Sequence, residues 1–428
     1  MRCRRWKGWL VPDADICFLP LAEQRAIQTA RLGEHIRYCR ERSPYYRTLA
    51  MGDFAAIPMT GKREFAERNA EFLAVPRSEI VDIVFSSGTT GLPTPVMYTA
   101  SDLARLAEHE ARAFASCGVT AEDTALLTCT MDRCFVAGFA YCTGLQKLGV
   151  AVARNGISLI ESHAAVMRTL SPTVIVGVPV FLRLLGRALD GNAEAHRVRR
   201  LVCIGEPLRD ERLEPLPFAR DLQTLFPNAT AHSTYASSEG VTPFCECGAC
   251  CGGHLHMDAA VVEIVDADGQ PVPDGETGEV VITPLGVRGM PLLRFRTGDV
   301  SFIIPGPCRC GRQSPRLGPI IGRRNQMMKL SGTSLYPAAF FNALDQISGI
   351  TQSYVTVTSE DRLSDSVCVT VSVRDPSLTA DGIARLLQAA LRVKPQVRVE
   401  PEDAVRAVVY TNASRKPIRF VDKRGEVS

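Results

Sequence analysis

The sequence predicts an α/β fold: a large N-terminal domain of layered sheets and helices over 1–322, including a β-rich subdomain at about 257–322, then a small, mobile α+β C-terminal domain over 323–428. Three observations predict it. Short β-rich runs alternate with helical segments through the first half. A turn-rich pair of strands follows near 257. A polar, glycine-ended stretch, GRRNQMMKLSG near 323–331, marks a hinge before a last set of strands and helices.

Residues 21–43 read as an amphipathic helix, and SDLARLAEHEARAFASCG as another, with Ser101 as N-cap and Gly118 as stop. The runs VDIVF (81–85), TALLTCT (124–130), TVIVG (173–177) and RLVCI (200–204) read as strands, the last two separated by the helix VFLRLLGRAL. This alternation predicts largely parallel strands. VVEIVDADGQPVPDGETGEVVIT reads as two strands joined by Gly-, Pro- and Asp-rich turns. The C-terminal unit should carry strands at 353–358 and 366–373, a helix near 379–392 and a final strand at 405–411. No internal repeat or low-complexity tract interrupts the chain.

At 428 residues the chain can bury a large core, and a net charge of +3 with no long basic run argues against nucleic acid as a partner. The basic N-terminus is followed by an apolar run too short and too polar for a signal peptide, and no segment has the length of a membrane span. The expected location is the cytoplasm. There, isolated members of the fifteen cysteines, such as Cys39, Cys117 and Cys203, read as reduced core residues.

The stretch VFSSGTTGLPTPVMYT, from Val84 to Thr99, suits a polyphosphate. Glycine lets the backbone approach an anion, and N–H and O–H groups supply donors. The Gly-Lys-Ser/Thr of a P-loop is missing, so a kinase-like site is disfavoured. The order S-S-G-T-T-G-x-P resembles the phosphate loop of the adenylate-forming superfamily, which includes the acyl-CoA synthetases, and the branch it resembles is that of the phenylacetate–CoA ligases. GEPL (205–208), TYASSEG (234–240), PLLRFRTGD (291–299), PGPCRCGRQSPRLGPIIGR (305–323) and SRKPIRFVD near the end resemble that branch in the same order along nearly the whole chain.

The resemblance implies that Ser86, Ser87, Gly88, Thr89, Thr90 and Gly91 wrap the β- and γ-phosphates of ATP, although Leu92 departs from the Lys often found there. It implies nucleotide contacts from Gly205, Glu206, Pro207 and Ser238, adenine stacking on Tyr235, and Mg²⁺ contact by Glu239, a carboxylate suited to a hard cation. Asp299 would accept hydrogen bonds from the ribose hydroxyls, and Arg323 would reach the ribose or phosphate. Lys416, in the spacing Lys-x-x-Arg-x-x-Asp, would be the catalytic ammonium brought in by the C-terminal domain; Lys329 in the hinge reads equally as a solvated lysine.

Cys247, His254, Cys308 and Cys310 would make a Cys₃His site suited to structural Zn²⁺, with Cys245, Cys250, Cys251 and His256 as competing upstream ligands and scattered free thiols as the alternative. No Cys–His nucleophile motif and no G-x-S-x-G is present. Phe135, Phe139 and Tyr141 are candidates to line an aryl-acid pocket, with plain core packing as the alternative. The expected activity is ATP-dependent formation of an acyl-adenylate, then transfer to a thiol, with coenzyme A as the expected acceptor. A carrier protein, an amine or a hydroxyl stays open as acceptor, and a homodimer as assembly. A non-catalytic protein that kept the fold is the rival; Glu239, Asp299 and Lys416 argue against it.

Overall fold

The structure, a computed structural model, describes residues 3–6, 9–12, 15–49, 52–86, 94–189, 193–330, 333–359, 365–410 and 417–424. Its contacts divide the chain into two compact units, Met1–Ile320 and Ile321–Ser428.

The first unit is built on a six-stranded sheet. Its strands, in spatial order, are Phe244–Cys245, Thr230–Tyr235, Arg200–Ile204, Val174–Gly177, Thr124–Leu127 and Ala151–Arg154. All neighbours run parallel except the short Phe244–Cys245 edge. Successive residues face opposite sides, and both sides are buried. Leu127, Val176 and Val202 point into one core, and Leu126, Ile175 and Leu201 into the other. Burial on both faces explains why these strands read as unbroken apolar runs. The helices Ala100–Ser116 and Val136–Lys147 contribute to the first core, and Ile160–Leu170, Pro179–Ala188 and Pro217–Leu225 to the second.

The order places the second strand of the series on one side of Thr124–Leu127 and the third on the other, so the chain changes direction at that strand. In open α/β sheets the crevice at such a reversal, outside the carboxyl ends of the strands, is where ligands bind. At this crevice Gly177 packs so closely that an added Cβ would overlap Thr128 Oγ1, whose hydroxyl donates to the Val176 carbonyl.

The β-rich part of this unit is an antiparallel run of Ala260–Val265, Gly278–Pro284 and Phe295–Ser301, with Thr60–Gly61 added in parallel at Phe295 and Arg296. A three-stranded patch of Gly253–His254, Ile303–Ile304 and Arg316–Leu317 lies alongside in sequence. The second unit has a four-stranded sheet ordered Gln396–Val399, Asp365–Val373, Ile350–Ser359 and Phe420–Asp422, with its own core around Phe340, Val369 and Leu387.

Three sequence expectations are corrected. Ile80–Ser86 pairs antiparallel with Thr94–Thr99 in a separate hairpin, not within the parallel sheet, because the seven residues between them are too few for the crossover that parallel pairing needs. The helix after it is capped by Thr99, not Ser101. Thr99 Oγ1 accepts from the Asp102 N–H while Asp102 Oδ2 accepts from the Thr99 N–H, a reciprocal capping box. The run at 405–411 belongs to a helix, Glu402–Val409. Glu402 and Asp403 favour its N-terminus, and Val405 and Val409, one helical turn apart, form its buried face.

Among the described residues, no ion pair engages the buried carboxyl of Glu110. Burial pushes the Glu110 carboxyl up to about 8 from its ordinary 4.5. Between those values the folded chain holds more protons than the unfolded one, so this group's stabilisation is complete below the unfolded value and is lost as pH rises through the folded one. Glu110→Gln keeps the shape and removes the titration. Melting profiles from about pH 5 to about pH 9 should flatten in the variant, with a gain over the wild type at the alkaline end; parallel profiles would contradict the assignment.

Candidate active site

The strand Thr230–Tyr235 ends at the carboxyl edge of the parallel sheet, and Tyr235 is its last residue. Its ring lies parallel to that of Phe244, with centroids 6.1 Å apart and planes 16° apart. Its hydroxyl donates to Asp299 Oδ2 at 2.8 Å. Burial first, then the Asp299 carboxylate, push the Tyr235 phenol well above its ordinary range, so it stays a donor.

Asp299 reaches this point through a bulge. Along the pairing of Gly278–Pro284 with Phe295–Ser301, Glu279 faces Val300 and Val281 faces Arg296, so Thr297, Gly298 and Asp299 together stand opposite Val280 alone, two residues in surplus. Gly298 takes φ +77°, which a side chain would resist. Thr297 Oγ1 accepts from the Asp299 N–H and donates to the Val280 carbonyl, fixing the bulge. The Arg-Thr-Gly-Asp order thus has a geometric cause. Arginine packs as an ion pair, since Arg296 holds Glu279 at 2.6 Å; threonine anchors, glycine turns and aspartate projects.

Glu239 is buried in the turn that follows Tyr235. That turn is held by the Gly240 N–H donating to Ser237 Oγ, by Arg105 donating to the Val241 carbonyl, and by Tyr98 Oη donating to the Ser238 carbonyl at 2.7 Å. Tyr98 belongs to the strand that leaves the predicted phosphate loop, so Ser238 and Glu239 are tied to it. Gly205, Glu206 and Pro207 follow the neighbouring strand Arg200–Ile204 at the same carboxyl edge, with Gly205 at φ +77°. The structure therefore brings Tyr235, Ser238, Glu239, Asp299 and the 205–207 turn to the carboxyl-edge side of the first unit. Ser86 ends the strand that enters the loop and pairs with Thr94. Ser87, Gly88, Thr89, Thr90, Gly91 and Lys416 lie outside the described residues. Arg323 lies in the strand Gly322–Arg323 of the second unit.

The segment following Thr124–Leu127 opens on Arg133 and Cys134, both at positive φ, and the Cys134 carbonyl accepts from the Phe85 N–H at 2.9 Å. This links the segment carrying the candidate acid-pocket residues to the strand entering the predicted phosphate loop. Phe135 and Phe139, one helical turn apart, share a face, and Phe139 is exposed. Tyr141, two residues beyond Phe139, is buried in the first core, edge-on to Phe114 with ring centroids 6.1 Å apart.

The ligand atoms of Cys247, His254, Cys308 and Cys310 lie within 4.8 Å of one another. Cys247 Sγ is 3.6 Å from Cys308 Sγ, and Cys310 Sγ is 3.5 Å from His254 Nε2. Gly311 at φ +93° closes the turn, in which the Cys308 N–H donates to the Arg312 carbonyl. His254 Nδ1 meets Ser314 Oγ at 3.2 Å, which orients Nε2 inward, and burial lowers the imidazole to about 3, leaving it neutral as a ligand must be. The competing residues face elsewhere: Cys245 meets Cys117 Sγ at 3.1 Å, Cys250 points to the Ala231 carbonyl, and His256 meets Cys17. Cys251 Sγ is 3.6 Å from Cys308 Sγ but accepts from Arg316 at 2.9 Å.

Sequence reasoning missed Thr297, Tyr98 and Phe244. The first two lie inside the quoted motifs and could have been found as hydroxyls flanking the candidate residues; Phe244 carries no local signal. Tyr235→Phe should lower stability of the first unit by about 1–2 kcal/mol, read as a reduced urea midpoint, because Asp299 loses a charge-assisted donor. An unchanged midpoint would remove the pair's structural weight.

Comparison with known proteins agrees with this geometry. Residues 23–288 match the family of AMP-binding enzymes. The phenylacetate–coenzyme A ligase of Thermus thermophilus is 30% identical over 379 residues, covering 84% of this chain and 83% of that protein. The enzyme of the same name from Aromatoleum evansii is 27% identical, covering 94% of this chain and 95% of its own. A crystal structure of 2-hydroxyisobutyryl-CoA ligase in complex with R3-HIB-AMP has the same fold, with a TM-score of 0.82, 20% identity, and coverage of 98% of this chain and 95% of that one. The chain belongs to the AMP-binding enzyme family, in its phenylacetate–CoA ligase-like, adenylate-forming branch.

Proposed function

We propose that the chain uses ATP to activate an aryl or arylacetic acid as the acyl-adenylate and passes the acyl group to coenzyme A. It is an AMP-forming acid–thiol ligase. The observation that carries the site assignment is the Tyr235–Asp299 pair at the carboxyl edge, with Glu239 in the adjoining turn.

The substrate's carboxylate oxygen attacks the α-phosphorus, the bond to the bridging oxygen breaks, and pyrophosphate leaves. The coenzyme A sulfur then attacks the acyl carbonyl, its proton goes to solvent, and AMP leaves with the former carboxylate oxygen. Tyr235 presents its ring to adenine. Asp299 keeps lone pairs on both oxygens for the ribose hydroxyls. Ser86, Ser87, Gly88, Thr89, Thr90 and Gly91 donate to the β- and γ-phosphates, and Gly205, Glu206, Pro207 and Ser238 border the nucleotide. Glu239 would hold Mg²⁺, which supplies positive charge against the phosphates. The Lys416 ammonium offsets the charge that builds on the oxygens around the α-phosphorus, and Phe135 and Phe139 face the aryl group. Cys247, His254, Cys308 and Cys310 would hold a structural Zn²⁺, a fit supported by one neutral imidazole and three convergent sulfurs. Function in the cytoplasm agrees with the free thiols found among the described residues, where no helix is long and apolar enough to cross a membrane.

The test is mass spectrometry of products from ATP, Mg²⁺ and a panel of aryl acids, with and without coenzyme A. Acyl-adenylate should form with at least one acid and become acyl-CoA when the thiol is added, and Lys416→Ala should slow adenylation by about 10²–10³-fold. Adenylate that never reaches coenzyme A would move the second step to another acceptor. No adenylate from any acid, or an undiminished Lys416→Ala, would overturn the proposal.

A further inference from the structure

A second group of ligand-type side chains lies beside the Cys₃His cluster and has no part in the activity above. Asp15, Cys17 and His256 bring a carboxylate oxygen, a sulfur and an imidazole nitrogen within 4.8 Å of one another. They come from two distant stretches: the single turn Ile16–Phe18, which Asp15 caps, and the segment after the strand Gly253–His254. Cys17 and His256 are buried, and Cys17 Sγ stands 3.5 Å from His256 Nδ1. Around a tetrahedral zinc with ordinary bond lengths, neighbouring sulfur and nitrogen atoms are about 3.3–3.8 Å apart. The separation matches that between Cys310 Sγ and His254 Nε2 in the first cluster, 3.5 Å. The Leu255 carbonyl oxygen, 3.7 Å from Cys17 Sγ, is near enough to provide a fourth ligand.

The surroundings are built as a charged shell. Asp15 Oδ1 accepts from the Cys17 N–H, and Oδ2 accepts from Arg312 Nε at 2.9 Å. Arg312 also directs Nη1 to Cys310 Sγ, so one guanidinium spans both clusters and moderates their combined negative charge. Asp258, two residues from His256, is buried. Its Oδ2 accepts from Arg112 at 2.8 Å, while Oδ1 has no partner among the described residues. An unpartnered buried carboxylate oxygen is costly without nearby positive charge.

We propose that Asp15, Cys17 and His256 form a second Zn²⁺ site. The thiolate, imidazole and carboxylate are ligands zinc accepts together. On binding, the Cys17 thiol proton leaves to solvent and the sulfur takes the metal. The ion fastens residues 15–17 to 255–256, where the Gln313 N–H already donates to the Cys17 carbonyl and the Arg312 guanidinium covers the Phe18 ring.

The test is metal content of the purified full chain by mass spectrometry, with circular dichroism as a check of folding. The wild type should carry about two zinc ions per chain. Cys17→Ala and His256→Gln should each leave about one, and so should Cys308→Ser. Loss in the Cys308→Ser variant alone would overturn this site and leave the Cys₃His reading intact. Loss in the Cys17 and His256 variants alone would do the reverse. Should these variants not fold, metal-free wild-type chain titrated with Co²⁺ replaces them. Saturation at about two equivalents, with thiolate-to-cobalt absorption growing in both steps, is expected; saturation at one would overturn the second site, and a thiol–imidazole hydrogen bond would then be all that joins Cys17 to His256.

Discussion

A single buried carboxylate organises the approach to the candidate active site. Asp102 Oδ2 takes hydrogen bonds from the Thr99 N–H, the Thr99 hydroxyl and the Gly289 N–H, and Oδ1 takes one from the Arg288 N–H at 2.7 Å. A carboxylate this deeply buried is tolerated because its acceptors are filled. The four donors come from Thr99, the last residue of the strand leaving the predicted phosphate loop, and from the turn before the Arg-Thr-Gly-Asp bulge, while Asp102 itself sits in the helix that the strand enters. Gly289 is held so close to the Met97 carbonyl that an added Cβ would overlap it. The Thr94–Thr99 strand thus has one position relative to the β-rich layer, and Tyr98, in that strand, fixes the turn bearing Ser238 and Glu239.

From that anchor the candidate site follows by addition. The parallel sheet delivers Tyr235 and the 205–207 turn at its carboxyl edge, and the antiparallel layer delivers Asp299 through a glycine-dependent bulge. The Tyr235–Asp299 hydrogen bond closes one layer on the other. The cysteine-rich patch forms a separate small sheet, closed by the pairing of His254 with Arg316 and by the tight Cys308–Arg312 turn. Rigid elements therefore fix the strands that enter and leave the glycine- and hydroxyl-rich stretch, as polar groups that must be held in place around a polyphosphate require.

Much of this was legible in the residues, and the misses have physical causes. The parallel strands announced themselves because burial on both faces leaves apolar runs with no helical spacing. The 405–411 run deceived because Val405, Val408 and Val409 favour strands in isolation, whereas Val405 and Val409 fall one helical turn apart behind an acidic start. Thr99 was passed over as a cap in favour of Ser101 because two hydroxyls stood two residues apart; the Asp102 partner that decides between them also serves a distant turn. The Cys₃His set was legible as one arrangement among several. The choice among upstream ligands needed three dimensions, and so did the convergence of Asp15 and Cys17 on His256.

The central claim is that the Tyr235–Asp299 edge is the nucleotide site, and a crystal structure of the chain with bound AMP tests it most directly. The account predicts adenine against the Tyr235 ring and both ribose hydroxyls on Asp299. AMP bound away from these residues, with Tyr235 and Asp299 still paired and bare, would contradict it.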